Sequence, residues 1–213
     1  MNLNRILVTF FDKSSSVPTI EVFDETSLFS VYKNVIEVLQ QVPEIEQNVV
    51  KGLAFCLYEV LDNVIYHSGK KSGTVIVQYN KEQSRMRVVV ADDGIGIWKS
   101  ISNNPIYKDI DEPTAISICI QKDVTEGNGM GFGLFSATRL IANAGISLQI
   151  HSGNHLLTFD GKQSEIREER FWQGTIVYLD LHSNVDFNPE EVANDCSEEF
   201  DEMFLDEGET SLW

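Results

Sequence analysis

The sequence predicts an α+β two-layer sandwich, a sheet with helices on one face. Three observations point there. Short apolar runs with β-branched residues recur along the chain, two stretches carry apolar residues at helical spacing, and the two kinds of segment are interleaved. The order is strand and helix first, then a helix between strands, then an antiparallel run, which suits helices packed on one sheet face.

Each element has a local reason. Ile6–Phe11 and Pro18–Phe23 read as strands separated by the turn-forming stretch Asp12–Ser16. Thr26–Gln41 places Phe29, Tyr32, Val35, Ile36 and Leu39 at helical spacing, and Pro43 ends it. Glu44–Tyr66 reads as a longer helix with Val49, Leu53, Cys56, Leu57, Val60, Leu61 and Val64 on one broad face. Thr74–Tyr79 and Arg85–Ala91 read as consecutive strands joined by a polar turn. Residues 98–128 are mixed, with one short helix expected near Thr114–Gln121. Gly133–Ala144 reads as a helix closed by Gly145. Ile146–His151, Leu156–Phe159 and Thr175–Leu181 read as the last strands, with residues 160–173 a charged loop or hairpin extension between them.

Charge divides the chain into a body and a tail. The net charge is −17, yet eleven of the acids lie after Ser183, where there is no Lys or Arg. Residues 1–183 are expected to form one domain and 184–213 an acidic tail. Neither part has a basic stripe to neutralise phosphate, which argues against nucleic acid as a partner. Three cysteines without CxxC spacing read as free thiols in a reducing compartment. The apolar run at Ile6–Phe11 is too short to span a membrane. A soluble cytoplasmic protein is expected. In the tail, Asn188 could cap a helix that opens with Pro189. Val192, Cys196, Phe200, Met203 and Phe204 would fall on one side of it, able to bind a partner protein or to fold back on the domain.

Three short motifs carry candidate chemistry. Glu59 and Asn63 are four residues apart, so they share a helix face. The Asn63 amide oxygen would suit magnesium, which takes oxygen ligands and keeps several waters. Glu59 could orient or deprotonate a nucleophile. On its own this pair is more simply an ordinary solvated one. Asp92 follows the strand that ends at Ala91. An acceptor-only carboxylate there can receive a hydrogen bond from an adenine amine. Gly94 and Gly96 would let the backbone turn and approach a flat base; an ordinary Asp/Gly turn explains them equally well. Gly129, Gly131 and Gly133 alternate just before a helix, where backbone amides can cradle an anion. A flexible hinge is the plain alternative. No Lys follows these glycines, which excludes a P-loop, and the GxGxG spacing is not that of a dinucleotide fingerprint.

Together, in this order, the motifs are far more specific. They resemble the GHKL superfamily of gyrase, the ninety-kilodalton heat-shock chaperone, sensor histidine kinases and MutL. Glu59-x-x-x-Asn63 matches its N box, Asp92-x-Gly94-x-Gly96 its first glycine box, and Gly129-x-Gly131-x-Gly133-Leu134 its second. Gly174-Thr175 looks like the late Gly-Thr whose threonine supports the adenine-binding Asp. The resemblance covers roughly Val49–Leu181. It implies a mixed sheet, ATP and Mg2+ as cofactors, and a mobile lid over residues 98–128. It gives Asn63 the magnesium role, Glu59 the catalytic base, Asp92 the adenine contact and the second box the phosphates. The residues after the four histidines are Ser68, Ser152, Leu156 and Ser183, unlike a sensor kinase's phosphoacceptor site. The nearest likeness is to stand-alone anti-sigma-factor serine kinases. That implies phosphorylation of a partner protein; the alternative is a nucleotide-gated binding module without phosphotransfer.

Overall fold

The computed structural model describes residues 18–122, 124 and 133–193. Within them the elements run β1 (Thr19–Asp24), α1 (Leu28–Gln40), α2 (Gln47–His67), β2 (Ser72–Asn80), β3 (Arg85–Ala91), α3 (Ile97–Ile101), α4 (Glu112–Ile118), α5 (Gly133–Ala144), β4 (Gly145–Phe159), β5 (Ser164–His182) and α6 (Glu190–Ala193). The five strands form one sheet in the order β1-β2-β3-β5-β4. All four pairings are antiparallel, where the family resemblance implied a mixed sheet. Two tight connections, β2–β3 and β4–β5, make hairpins, and β5 returns beside β3 in the opposite direction. The strand expected at Ile6–Phe11 lies outside the described residues.

One sheet face carries the core. Phe23, Val75, Val77, Val88, Val90, Leu148, Ile150, Val177 and Leu179 alternate along their strands onto that side and join the buried faces of the helices. In α1 the buried residues Leu28, Val31, Tyr32, Val35, Ile36 and Leu39 form one helical stripe. The longer α2 is buried over a wider arc because α1, α5, α6 and the sheet all pack on it. Gly52 permits that closeness: a Cβ there would lie 3.0 Å from Leu140 of α5.

Two expectations needed revision, and for residues 160–173 the hairpin reading holds. Ile146–His151 and Leu156–Phe159 are one strand, since β4 continues through a register shift at Ser152–His155. The extra residues are on the partner strand, since Ser152 pairs with Thr175 but Gly153 with Trp172, which leaves Gln173 and Gly174 bulged out of β5, while Gly153, at φ +61°, lets β4 bend opposite them. The charged stretch 160–173 continues β5 into a hairpin, where Leu156, Leu157 and Thr158 pair with Arg167, Ile166 and Glu165. Its tip is set by Asp160, which accepts from the amides of Lys162 and Gln163 at 2.9 Å each. The helix α3 was not expected, because five residues show no periodicity. The start of the tail is fixed to the domain: Val192 is buried in the core, and Asn48 donates to Asp186 at 2.8 Å. Asn188 accepts from the Glu190 amide at 3.1 Å, at the start of α6. Cys196, Phe200, Met203 and Phe204 lie outside the described residues.

Candidate functional site

The site grows from the C-terminal half of α2. Its apolar arc faces the core, which leaves Glu59, Asp62 and Asn63 half-buried along one edge. Burial raises the Asp62 carboxyl above its usual range, partly offset by His67. Asn63 makes no side-chain hydrogen bond among the described residues, so its amide oxygen is available to a ligand.

The loop after β3 is joined directly to the end of this helix. The Ile95 amide donates to the Ser68 carbonyl at 2.8 Å. A Cβ on Gly94 would fall 2.1 Å from the same oxygen, so only glycine fits. At 1.5 Å of rise per residue, Asn63 sits about 7.5 Å below Ser68 along the axis and Glu59 about 13.5 Å. The first two motifs thus share one edge of the molecule.

Asp92 is the most constrained residue of this region. It is buried, and one carboxylate oxygen accepts from the Gly94 amide at 2.8 Å. Burial pushes its carboxyl up to about 6, against the opposing pull of the Gly94 and Thr175 backbone amides and with a small push from Asp93. Above that pH it is an ionised acceptor in a closed environment. Its backbone is held as firmly. The Asp92 amide donates to the Thr175 carbonyl at 2.9 Å, and the Trp172 indole donates to the Asp92 carbonyl at 3.2 Å. Gly174, at φ +91°, lies so close that a Cβ would meet the Asp92 carbonyl oxygen at 2.3 Å. The late Gly-Thr pair therefore does stand beside Asp92. The contact seen runs through the Thr175 backbone.

Two contributors are not visible in the sequence motifs. Ser152 donates to the Gly174 carbonyl at 2.8 Å and accepts from the Ile97 amide at 2.9 Å, tying β4, β5 and the start of α3 together. It also crowds Gly96, whose φ is +80°. Glu112 opens α4 and reaches β4 at its register shift, where it accepts from the Asn154 amide and bonds the His155 ring at 2.7 Å. Despite its partial burial, these contacts hold its carboxyl below the usual range. No local signal in the sequence marks either residue.

The described part of the expected lid is anchored. Ile101, Ala115, Ile116 and Cys119 are all buried. Trp98 donates to the Ile110 carbonyl at 2.9 Å, and Asp111 caps α4 by accepting from the Thr114 amide at 3.0 Å. Of the second glycine motif, Gly133 is the first residue of α5 and Leu134 packs against the core. Gly129 and Gly131 lie outside the described residues, so the arrangement of the expected phosphate loop stays an expectation. Among the described residues no cluster of three or more His, Cys, Asp or Glu side chains could hold a metal. None of their helices is long and apolar enough to cross a membrane.

The arrangement can do three things chemically. It offers a buried, ionisable acceptor on a rigid strand end, an amide oxygen free to meet a cation, and a carboxylate one helical turn further on. A comparison with curated proteins returned no match. The family model described as histidine kinase-, DNA gyrase B-, and HSP90-like ATPase matches residues 48–184, from the start of α2 to just past the end of β5. That span is more than half of the chain and contains all three motifs, so the chain belongs to this family of ATP-binding domains.

Proposed function

We propose that this chain is a magnesium-dependent ATP-binding regulatory protein that phosphorylates a serine or threonine of a partner protein. The observation that carries the reading is Asp92: a buried carboxyl, fixed by four neighbouring backbone and side-chain contacts, at the mouth of a loop that only glycine can form. A structural turn does not require a desolvated acid. A site that must recognise an exocyclic amine does, because an unpaired polar group left by the wrong ligand is costly there.

The roles follow from chemistry. Asp92 accepts from the adenine amine, with Gly94 and Gly96 allowing close approach of the base and Thr175 steadying the strand beside it. Asn63 would hold Mg2+ through its amide oxygen, the rest of the shell being phosphate oxygens and water. Gly129, Gly131 and Gly133, with Leu134 behind them, would bring amides to the phosphates at the start of α5. ATP supplies the transferable phosphoryl group when bound. Glu59 takes the proton of the attacking hydroxyl.

Calorimetry with Mg-ATP tests the pocket. Wild type should bind, and Asp92→Asn and Asn63→Ala should each bind more weakly; a wild type without binding overturns the reading. Transfer of labelled γ-phosphate to partner proteins then tests the activity. Glu59→Ala should abolish transfer while leaving binding intact. Function that survives this substitution would point instead to a nucleotide-gated binding module.

A further inference from the structure

The strand β5 leaves regular geometry beside the Asp92 loop, where Gln173 and Gly174 bulge out of its ladder with β4. In a regular strand consecutive side chains point to opposite faces. Trp172 and Gln173 are consecutive, yet both reach the same loop. The Trp172 indole donates to the Asp92 carbonyl at 3.2 Å, and Nε2 of Gln173 donates to the Asp93 carbonyl at 3.3 Å. The bulge thus turns two neighbouring side chains onto two neighbouring carbonyls. The backbone ladder does not reach that far. Its last pair between β3 and β5 is Ala91 with Ile176, followed by one bond from the Asp92 amide to the Thr175 carbonyl at 2.9 Å. Past that bond, side chains supply what the backbone no longer does.

The two carbonyls belong to one turn. The Asp92 carboxylate accepts from the Gly94 amide at 2.8 Å, which closes a ring through the Asp92–Asp93 and Asp93–Gly94 peptide units. Trp172 and Gln173 each hold the carbonyl of one of these units. Rotating either unit swings the carboxylate with it. Hydrogen bonds weaken steeply as they depart from line, so a small swing is felt first by whatever the carboxylate receives. We propose, resting on the nucleotide reading of Asp92, that Trp172 and Gln173 are positioning residues that aim this carboxylate at the exocyclic amine of adenine. Packing alone explains them less well. Trp172 does pack on Val89, Ile176 and Tyr178, but that contact asks for a ring and not for an N–H directed at a carbonyl. Gln173 is exposed and has no packing role to fill.

The test is calorimetry on the full chain with two ligands, Mg-ATP and the magnesium complex of purine riboside triphosphate, which lacks the exocyclic amine. Trp172→Phe keeps the ring and removes the N–H. It should bind ATP roughly fivefold more weakly than wild type and purine riboside triphosphate as wild type does. Equal weakening of both ligands marks a merely structural role and overturns the proposal, as does no weakening of either. A wild type that binds the two ligands equally, or binds neither, overturns the adenine reading of Asp92 itself and the positioning role with it. Should Trp172→Phe fail to fold, Gln173→Ala decides the matter, because that side chain is exposed. A loss of about threefold for ATP alone supports the proposal. No loss, or an equal loss for both ligands, overturns it.

Discussion

The Asp92 end of the site and the α3–α4 segment lie side by side, yet they are held in different ways. Asp92 is fixed through backbone. Gly94 presses on Ser68, Gly174 presses on Asp92, and the ladder bond to Thr175 closes the arrangement. Rearranging it means moving main chain, which is why glycine sits wherever two backbones meet. The α3–α4 segment is held through side chains: the Glu112 clamp on β4 at its register shift, the Trp98 bond to Ile110, and a few apolar residues in the core. Backbone contacts give a site one geometry. Side-chain contacts can be released one at a time, which would suit the lid that the family resemblance implies.

Substitutions can break this comparison, the largest effect first. Gly94→Ala drives a Cβ into the Ser68 backbone and should cost about 3 kcal/mol, read by denaturant unfolding. A cost near zero would mean the loop is not pinned to α2. Asp92→Asn should weaken ATP binding by roughly 10- to 100-fold. The same substitution should raise the melting temperature at neutral pH, because it removes an ion that burial disfavours.

The pH dependence sharpens this point. The Asp92 carboxyl is raised to about 6 in the fold, so the native state takes up a proton more readily than the unfolded chain. Its contribution to stability therefore grows as pH falls from about 6 towards the ordinary carboxylate range, while ATP affinity falls through the same window. The difference between wild type and Asp92→Asn across that window isolates the effect from other carboxylates. An invariant difference would contradict the assigned environment.

Ser152→Ala should cost about 2 kcal/mol, since the Gly174 carbonyl and the Ile97 amide both lose their partner. Thermal unfolding reads it. Glu112→Gln should be mildest, about 1 kcal/mol, with the loss concentrated in α4. Faster tryptic cleavage at Lys108 or Lys122, with little change in global unfolding, is the expected signature. Because the Glu112 carboxyl is held low in the fold, its contribution is full above its ordinary range and fades as pH falls. Equal loss of global and local stability would show that α4 and the Asp92 end are not separately held.

Much of this was readable beforehand, for identifiable reasons. α1 and α2 carry long periodic signals and β3 a continuous apolar run, and the observed Arg85–Ala91 strand has the expected bounds. Gly133 opens α5 and Gly145 follows its end, as the glycine positions suggested. Spacing and order single out Glu59, Asn63 and Asp92 as candidates, and the fold brings the loop after Asp92 onto the end of the helix that carries Glu59 and Asn63. Ser152 and Glu112 were not found. Each acts on a residue more than twenty positions away, and nothing near them in the chain announces it. Ile146–His151 and Leu156–Phe159 read as two strands because the residues between them break the apolar run; pairing with β5 keeps that stretch in the ladder.

The sequence alone therefore determined the type of most helices and strands, the family and which residues are candidates for its chemistry. Those depend on periodicity, capping and local residue choice, all of which act over a few positions. Only the tertiary structure decided that the described strand pairs are all antiparallel, that Asp92 is desolvated, and that Ser152 and Glu112 join β4 to the site. Pairing partners, burial and the displacement of a pKa depend on which distant segments meet, and that is settled when the chain closes on itself.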